Sequence, residues 1–251
     1  MKTFVKHDSP LLTVMVQANN PDRIKELMEK SEPNGAEAFG MQFEKLKPEY
    51  RNEKIYRELF SYSDKPVYVT NYRIRENEGK TDEVLASEML EFAECGATLC
   101  DIMGDLYDRQ PDEFAVSQEA VAKQMELIDT LHQKGAEVLM STHILAYTPA
   151  QRVLEIALEH QRRGADISKI VTGAENMEQQ IENLKIVNLL KNNLKIPFLF
   201  LSGGESQILR RIGTELGNCM CLCVYERDEF ATIHQPLLKN VKAIRENMKY
   251  E

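Results

Sequence analysis

Short apolar runs rich in β-branched residues alternate along this chain with longer stretches whose apolar positions recur at helical spacing. Eight runs qualify as strands: 12–17, 37–43, 67–70, 98–103, 137–142, 166–172, 197–201 and 219–224. Four of the intervening stretches predict helices plainly. In 82–95 the apolar residues are Val84, Leu85, Met89, Leu90 and Phe92, and the helix stops before Gly96. The stretch 117–134 stops before Gly135 in the same way. The third, 148–163, opens with Thr148 as a cap and Pro149 at the first helical position, and stops before Gly164. The fourth is 175–193, and the least regular part of the chain is 44–65.

Three consecutive units thus end in one junction, helix–Gly–Ala–strand, at Gly96-Ala97, Gly135-Ala136 and Gly164-Ala165. Repeated strand–helix alternation of this kind favours a closed (β/α)8 TIM barrel over a doubly wound sheet. The 251 residues match the size of one such barrel, so a single domain over 1–251 is expected. Neither G-x-G-x-x-G nor G-x-x-x-x-G-K-[ST] occurs, which removes the usual nucleotide-binding sheets.

Composition narrows the function. With 43% apolar residues the chain can bury a large core, and a net charge of −9 argues against nucleic acid as partner. No apolar run approaches the ~20 residues of a membrane span, and Met1–Pro10 lacks the apolar centre of a signal peptide. Five cysteines without framework spacing predict a reduced, cytoplasmic setting. Cys219, Cys221 and Cys223 alternate along the last strand and share a face. Thiols nearly ~7 Å apart are too spread for the ~2.3 Å bonds of one zinc, so they read as core packing, and no metal or cofactor is expected. His7, His132, His160 and His234 read as surface or helical residues.

In a barrel of this kind the chemistry gathers at the C-terminal ends of the strands. His143 follows the apolar run Val138-Leu139-Met140, where the fifth strand meets its loop, and an imidazole suits acid–base work. Lys169 lies inside an apolar strand, on one face with Ile167 and Val171. An amine in such an interior is favoured in the neutral form that attacks a ketone, unless a carboxylate such as Asp101 pairs with it. Arg210, after the seventh strand, could clamp a carboxylate.

Taken together these segments resemble type I 3-dehydroquinate dehydratase. Ser141-Thr142-His143 followed by Thr148-Pro149 is similar to that family's S-x-H…T-P signature around an acid–base histidine. Gly164-Ala165-Asp166 with Lys169 resembles its G-A-D-x-x-K segment, which carries the Schiff-base lysine. Arg210, Gly213 and Gly217 resemble its R-x-x-G-x-x-x-G, whose arginine binds the substrate carboxylate. By resemblance, Arg73 and Glu78 match the arginine and the histidine-orienting glutamate after the third strand, with Glu76 the alternative to Glu78 across a one-residue insertion. Asp101 keeps the first acid of the family's D-x-E and Met103 replaces the second. Where the family has E-x-R on the second strand, this chain has Gly40 and Gln42. The last loop lacks S-A-P-G-Q and offers Thr232 or Gln235.

The resemblance implies a lyase of the shikimate pathway, in aromatic amino acid biosynthesis, acting as a homodimer on a small keto acid. Lys169 would form the imine and His143 would move the protons, with Arg210, Arg73, Asp101, Gln42 and Gln235 as substrate contacts. Losing two charged recognition groups predicts a changed substrate, because a pocket built for a hydroxyl discriminates strongly on it. Two other readings stay open: a class I aldolase-type C–C lyase, and a barrel that binds a ligand without turning it over.

Overall fold

In the computed structural model, which describes residues 2–204 and 207–248, eight parallel strands form one sheet in the order β7-β6-β5-β4-β3-β2-β1-β8. The strands are β1 (Leu11–Met15), β2 (Ala38–Gln42), β3 (Val67–Thr70), β4 (Leu99–Met103), β5 (Glu137–His143), β6 (Ile167–Ala174), β7 (Phe198–Gly204) and β8 (Met220–Cys223). The helices are α1 (Pro21–Ser31), α2 (Glu53–Ser61), α3 (Asp82–Glu94), α4 (Gln118–Gln133), α5 (Ala150–Arg162), α6 (Met177–Asn193), α7 (Leu209–Leu216) and α8 (Leu238–Asn247). This is the (β/α)8 barrel that the alternation predicts, and none of its helices among the described residues is long and apolar enough to cross a membrane.

The predicted helices are α3 to α6, with one correction: α5 begins at Ala150, and Pro149 is its cap rather than its first residue. The stretch 44–65 holds α2, capped by the Asn52 side chain on the Ile55 N–H. The three Gly–Ala junctions have one cause: Gly96, Gly135 and Gly164 end their helices at φ +107°, +84° and +101°, where a β-carbon is unfavourable.

Strand alternation sorts the core into two layers. Leu11, Met15, Ala38, Tyr68, Leu99, Leu139, Ile167, Val171, Leu199 and Leu222 pack inside the barrel, with Phe4 of the N-terminal segment packed among them. Val14, Phe39, Val69, Cys100, Val138, Met140, Cys221 and Cys223 face the helices. Cys221 and Cys223 are therefore core residues, and burial pushes the Cys221 thiol up to about 12.

Between β7 and β8 a side chain stands in for part of a ladder. The Asn218 amide accepts from the Phe200 N–H and donates to the Phe200 carbonyl, both at 2.9 Å, and the Cys219 N–H donates to the Phe198 carbonyl at 2.9 Å. Gly213 makes room for this stitch, since a β-carbon there would lie 2.4 Å from Asn218 Nδ2.

Candidate active site

Strands β5 and β6 run in register with Ser141 beside Lys169 and His143 beside Val171. His143 thus stands two residues further along its strand than Ser141, some ~7 Å nearer the mouth than the level of Lys169. Lys169 is only 4% exposed, and Asp101 on β4 is buried beside it.

The three N–H donors of a Lys169 ammonium are all taken. Nζ donates to Asp101 Oδ2 at 3.1 Å, to the Tyr68 hydroxyl at 3.0 Å and to the Tyr72 hydroxyl at 2.5 Å. Both phenols donate in turn to Asp101 Oδ2, Tyr72 at 2.6 Å, while Ser141 Oγ donates to Asp101 Oδ1 at 2.5 Å. Burial opposes a charge on Asp101, but the Lys169 ammonium and these three hydroxyls hold its carboxyl below the usual carboxylate range. Burial and the Asp101 charge push both phenols well above the usual tyrosine range, so they remain neutral. Asp101 is accordingly the counter-ion of Lys169, the pairing that the sequence offered as the alternative to a neutral amine.

The carboxylate at His143 is Glu113, not Glu78 or Glu76. Glu113 Oε2 lies 2.8 Å from His143 Nδ1 and accepts from the His143 backbone N–H at 2.9 Å. Burial works against the Glu113 charge, yet the contacts with His143 keep its carboxyl below the usual range. Glu76 and Glu78 are exposed in the loop after β3.

Glu113 is brought there by the loop between β4 and α4. Its carbonyl accepts from Thr142 Oγ1 at 3.1 Å, and its φ of +48° is unusual for a residue with a side chain. The fully buried Arg163 grips the loop, donating to the carbonyls of Gly104 at 3.2 Å and Ala115 at 2.8 Å and to Gln124 Oε1 at 2.7 Å. Behind β5, Thr142 meets the buried His160 imidazole at 3.1 Å, and His160 meets Ser168 at 3.0 Å. Burial pushes His160 down to about 3 and keeps it neutral.

The remaining predicted residues divide. Arg73 is turned to the protein: Nε pairs with Asp82 at 2.7 Å, Nη1 with Asp105 at 2.6 Å, and Nη2 with Asp82 and the Asp105 carbonyl. Its expected role at the substrate is thereby replaced by one in anchoring the loops after β3 and β4. Arg210 differs. Its Nε donates to the Ser202 carbonyl at 2.8 Å, a backbone partner rather than a carboxylate. Burial lowers its pKa. In the segment before it, Glu205 and Ser206 lie outside the described residues.

At the other side of the mouth, Gln42 ends β2, and its Oε1 is buried without a hydrogen-bond partner among the described residues. Gln235 accepts from Gln17 Nε2 at 2.6 Å, and Gln17 Oε1 accepts from Thr232 Oγ1 at 2.9 Å. The ammonium of Lys45 bonds to Gln17 Oε1 and to the Phe230 carbonyl at 2.7 Å, joining the loops after β1, β2 and β8.

Sequence reasoning missed Glu113, Tyr68, Tyr72 and Lys45. For Glu113 a signal existed: residues 104–117 make a βα loop longer than the usual two to six residues, beside the strand of His143. Among the described residues, no group of three His, Cys, Asp or Glu side chains is arranged to hold a metal ion.

Comparison with known proteins bears on this arrangement. The sequence model of the type I 3-dehydroquinase family matches residues 12–246. The chain belongs to that family. A 3-dehydroquinate dehydratase of Alkaliphilus oremlandii is 33% identical over 92 residues, which span 36% of each chain. One from Lactiplantibacillus plantarum is 25% identical over 191 residues, 72% of this chain and 68% of that protein. In the first relatives, then, the matched stretch covers little more than a third of their length. The structure of a type I 3-dehydroquinate dehydratase from Clostridium difficile, covalently modified by comenic acid, superposes with a TM-score of 0.80 at 16% identity, covering 99% of this chain and 97% of that one. The Geobacillus kaustophilus enzyme gives 0.80 at 14% identity, over 100% and 97%. At these identities the structural likeness speaks for the fold.

Proposed function

We propose that this type I 3-dehydroquinase family member is a Schiff-base-forming dehydratase, a carbon–oxygen lyase that removes water β to the ketone of a small keto acid. The observation that carries the reading is the buried amine of Lys169 beside an imidazole that a second carboxylate orients. Nothing in a folding core calls for that pairing, since a buried ion pair is weak evidence for stability.

In the reaction, the Lys169 amine adds to the ketone and water leaves, giving a protonated imine that draws electrons from the adjacent carbon. His143 takes a proton from that carbon, and the electron pair moves toward the imine nitrogen. The pair then returns and expels the β-hydroxyl, which His143 protonates on departure. Water finally hydrolyses the imine and frees Lys169. Glu113 holds the ring by Nδ1, leaving Nε2 for proton transfer. Arg210, whose Nε is held by the Ser202 carbonyl, anchors the substrate carboxylate through its guanidinium.

The substrate reading extends past 3-dehydroquinate. Where the family has a strand 2 glutamate this chain has Gly40, and the space a side chain would take is filled by Met15 and Tyr68. The apolar filling favours a keto acid with fewer hydroxyls on that side. By family likeness the enzyme works in the cytoplasm, as a homodimer, within aromatic biosynthesis.

Intact-mass spectrometry after incubation with 3-dehydroquinate and borohydride tests the proposal. A reduced adduct in the wild type and none in Lys169→Ala, with enone absorbance appearing when borohydride is left out, is the expected result. An adduct without enone moves the chemistry to another keto acid. Silence across a panel of keto acids overturns the enzyme reading.

A further inference from the structure

The network around Lys169 poses a chemical difficulty. As an ammonium it has three protons, all donated, and no lone pair for a carbonyl carbon. Asp101 is its counter-ion, but at 3% exposure and under two phenols and a serine it is closed to solvent water. Imine formation moves two protons from this nitrogen onto the departing oxygen, so the site needs a group that can take a proton from Nζ and give one to that oxygen.

Tyr72 has the position for both. Its hydroxyl accepts from Nζ at 2.5 Å and donates to Asp101 Oδ2 at 2.6 Å. It differs from Tyr68, whose hydroxyl makes the same two kinds of contact, by being on the mouth side: Tyr72 is half-buried and its ring stands edge-on to the His143 ring at 5.3 Å, whereas Tyr68 is fully buried in the barrel beside Phe4. Glu44, itself fully buried, braces the segment from below by accepting from Thr70 Oγ1 and from the Tyr72 backbone N–H.

Resting on the Schiff-base reading above, we infer that Tyr72 is a catalytic residue, the proton relay through which Lys169 loses and the carbinolamine hydroxyl, formed from the ketone oxygen, gains its protons. A proton passes from Nζ to the Tyr72 oxygen while the phenol proton passes to Asp101, leaving a neutral amine and a carboxylic acid. The lone pair forms the C–N bond and the carbonyl π pair goes to oxygen. Tyr72 carries one proton from nitrogen to that oxygen, giving the carbinolamine. The Asp101 proton then returns through Tyr72 to the hydroxyl, the C–O bond breaks, and water leaves as the C=N bond forms. Asp101 and Tyr72 end as they began, and the two protons lost by nitrogen are in the water.

The test compares wild type, Tyr72→Phe and Tyr68→Phe, each checked for folding by thermal melting. Two probes are used: 3-dehydroquinate trapped with borohydride, and formaldehyde trapped with cyanoborohydride, followed at Lys169 by peptide mass with surface lysines as internal standards. The expected result is imine formation slowed about 100-fold in Tyr72→Phe and less than about threefold in Tyr68→Phe. A solvent deuterium isotope effect on the imine step, present in wild type, disappears in Tyr72→Phe. Equal rates in wild type and Tyr72→Phe overturn the relay, as does equal slowing in both variants, which marks a shared effect on the Asp101 charge. If formaldehyde reacts at Lys169 and 3-dehydroquinate does not, the substrate reading fails alone, and the formaldehyde rates decide the relay. A Lys169 inert to both overturns it.

Discussion

Met15 on β1 occupies the room in which a side chain on Gly40 of β2 would begin: a β-carbon there would lie 2.2 Å from Met15 Sδ. The two positions are coupled, and substitutions at them should not add. Gly40→Ala alone should destabilise the fold by about 1–3 kcal/mol, toward the low end because a thioether can swing aside. Combined with Met15→Ala, the same change should be relieved, giving a coupling of about 1 kcal/mol or more in a double-mutant cycle of denaturant unfolding. Additive changes would show that the contact relaxes freely.

Glu113 should matter to the rate and not to binding. In Glu113→Gln the charge that orients the His143 ring is lost, while the imine-forming network on Lys169 is untouched. Steady-state kinetics should show kcat reduced about 100-fold with KM little changed, and borohydride trapping should still label Lys169. Glu78→Gln should leave both parameters within about twofold of wild type.

Arg210 should act in the opposite sense. A guanidinium held through Nε by a backbone carbonyl can meet an anionic substrate in bidentate fashion with its terminal nitrogens. Arg210→Met should raise KM about 10- to 100-fold for an acid substrate, as loss of a charge-assisted hydrogen bond implies. The corresponding amide should lose little.

Buried Glu44 makes stability depend on pH. Burial pushes its carboxyl up to about 7, against about 4.3 in an unfolded chain. Between those values the folded protein holds the proton that the unfolded chain releases, so this contribution is full at the acid end and lost as pH rises through 7. The difference in unfolding free energy between Glu44→Gln and wild type should move in favour of the variant by about 3 kcal/mol from pH 4.5 to pH 8. A difference flat with pH would mean that Glu44 is ionised throughout.

What was legible in the sequence followed from local signals. Helix-ending glycines and strand alternation specify the barrel, because each acts within a few residues. Lys169 and His143 were legible because a charged or titratable group in or at the end of an apolar strand contradicts its surroundings. Glu113 was not, since its partnership with His143 depends on how Arg163 grips a long loop from another helix, a contact between residues far apart in the chain. Arg73 misled for the same reason: next to a strand end it resembles a substrate contact, and only the fold brings Asp82 and Asp105 to it. Tyr72 sits where the insertion after β3 blurs any pattern.

The Asn218 stitch gives the barrel an uneven perimeter. Adjacent strands elsewhere share ladders, such as the seven residue pairs between β6 and β7, whereas among the described residues β7 and β8 form no ladder and are joined through the Asn218 amide and the Cys219 N–H. Spontaneous local opening begins where fewest bonds must break together, so the staves should part here first. Arg210 rides on α7, which packs on both β7 and β8. The cation that would grip an acid group is therefore mounted beside the joint without a ladder, while Lys169 is set in the longest one, an arrangement that would let the mouth adapt to its cargo without disturbing the amine.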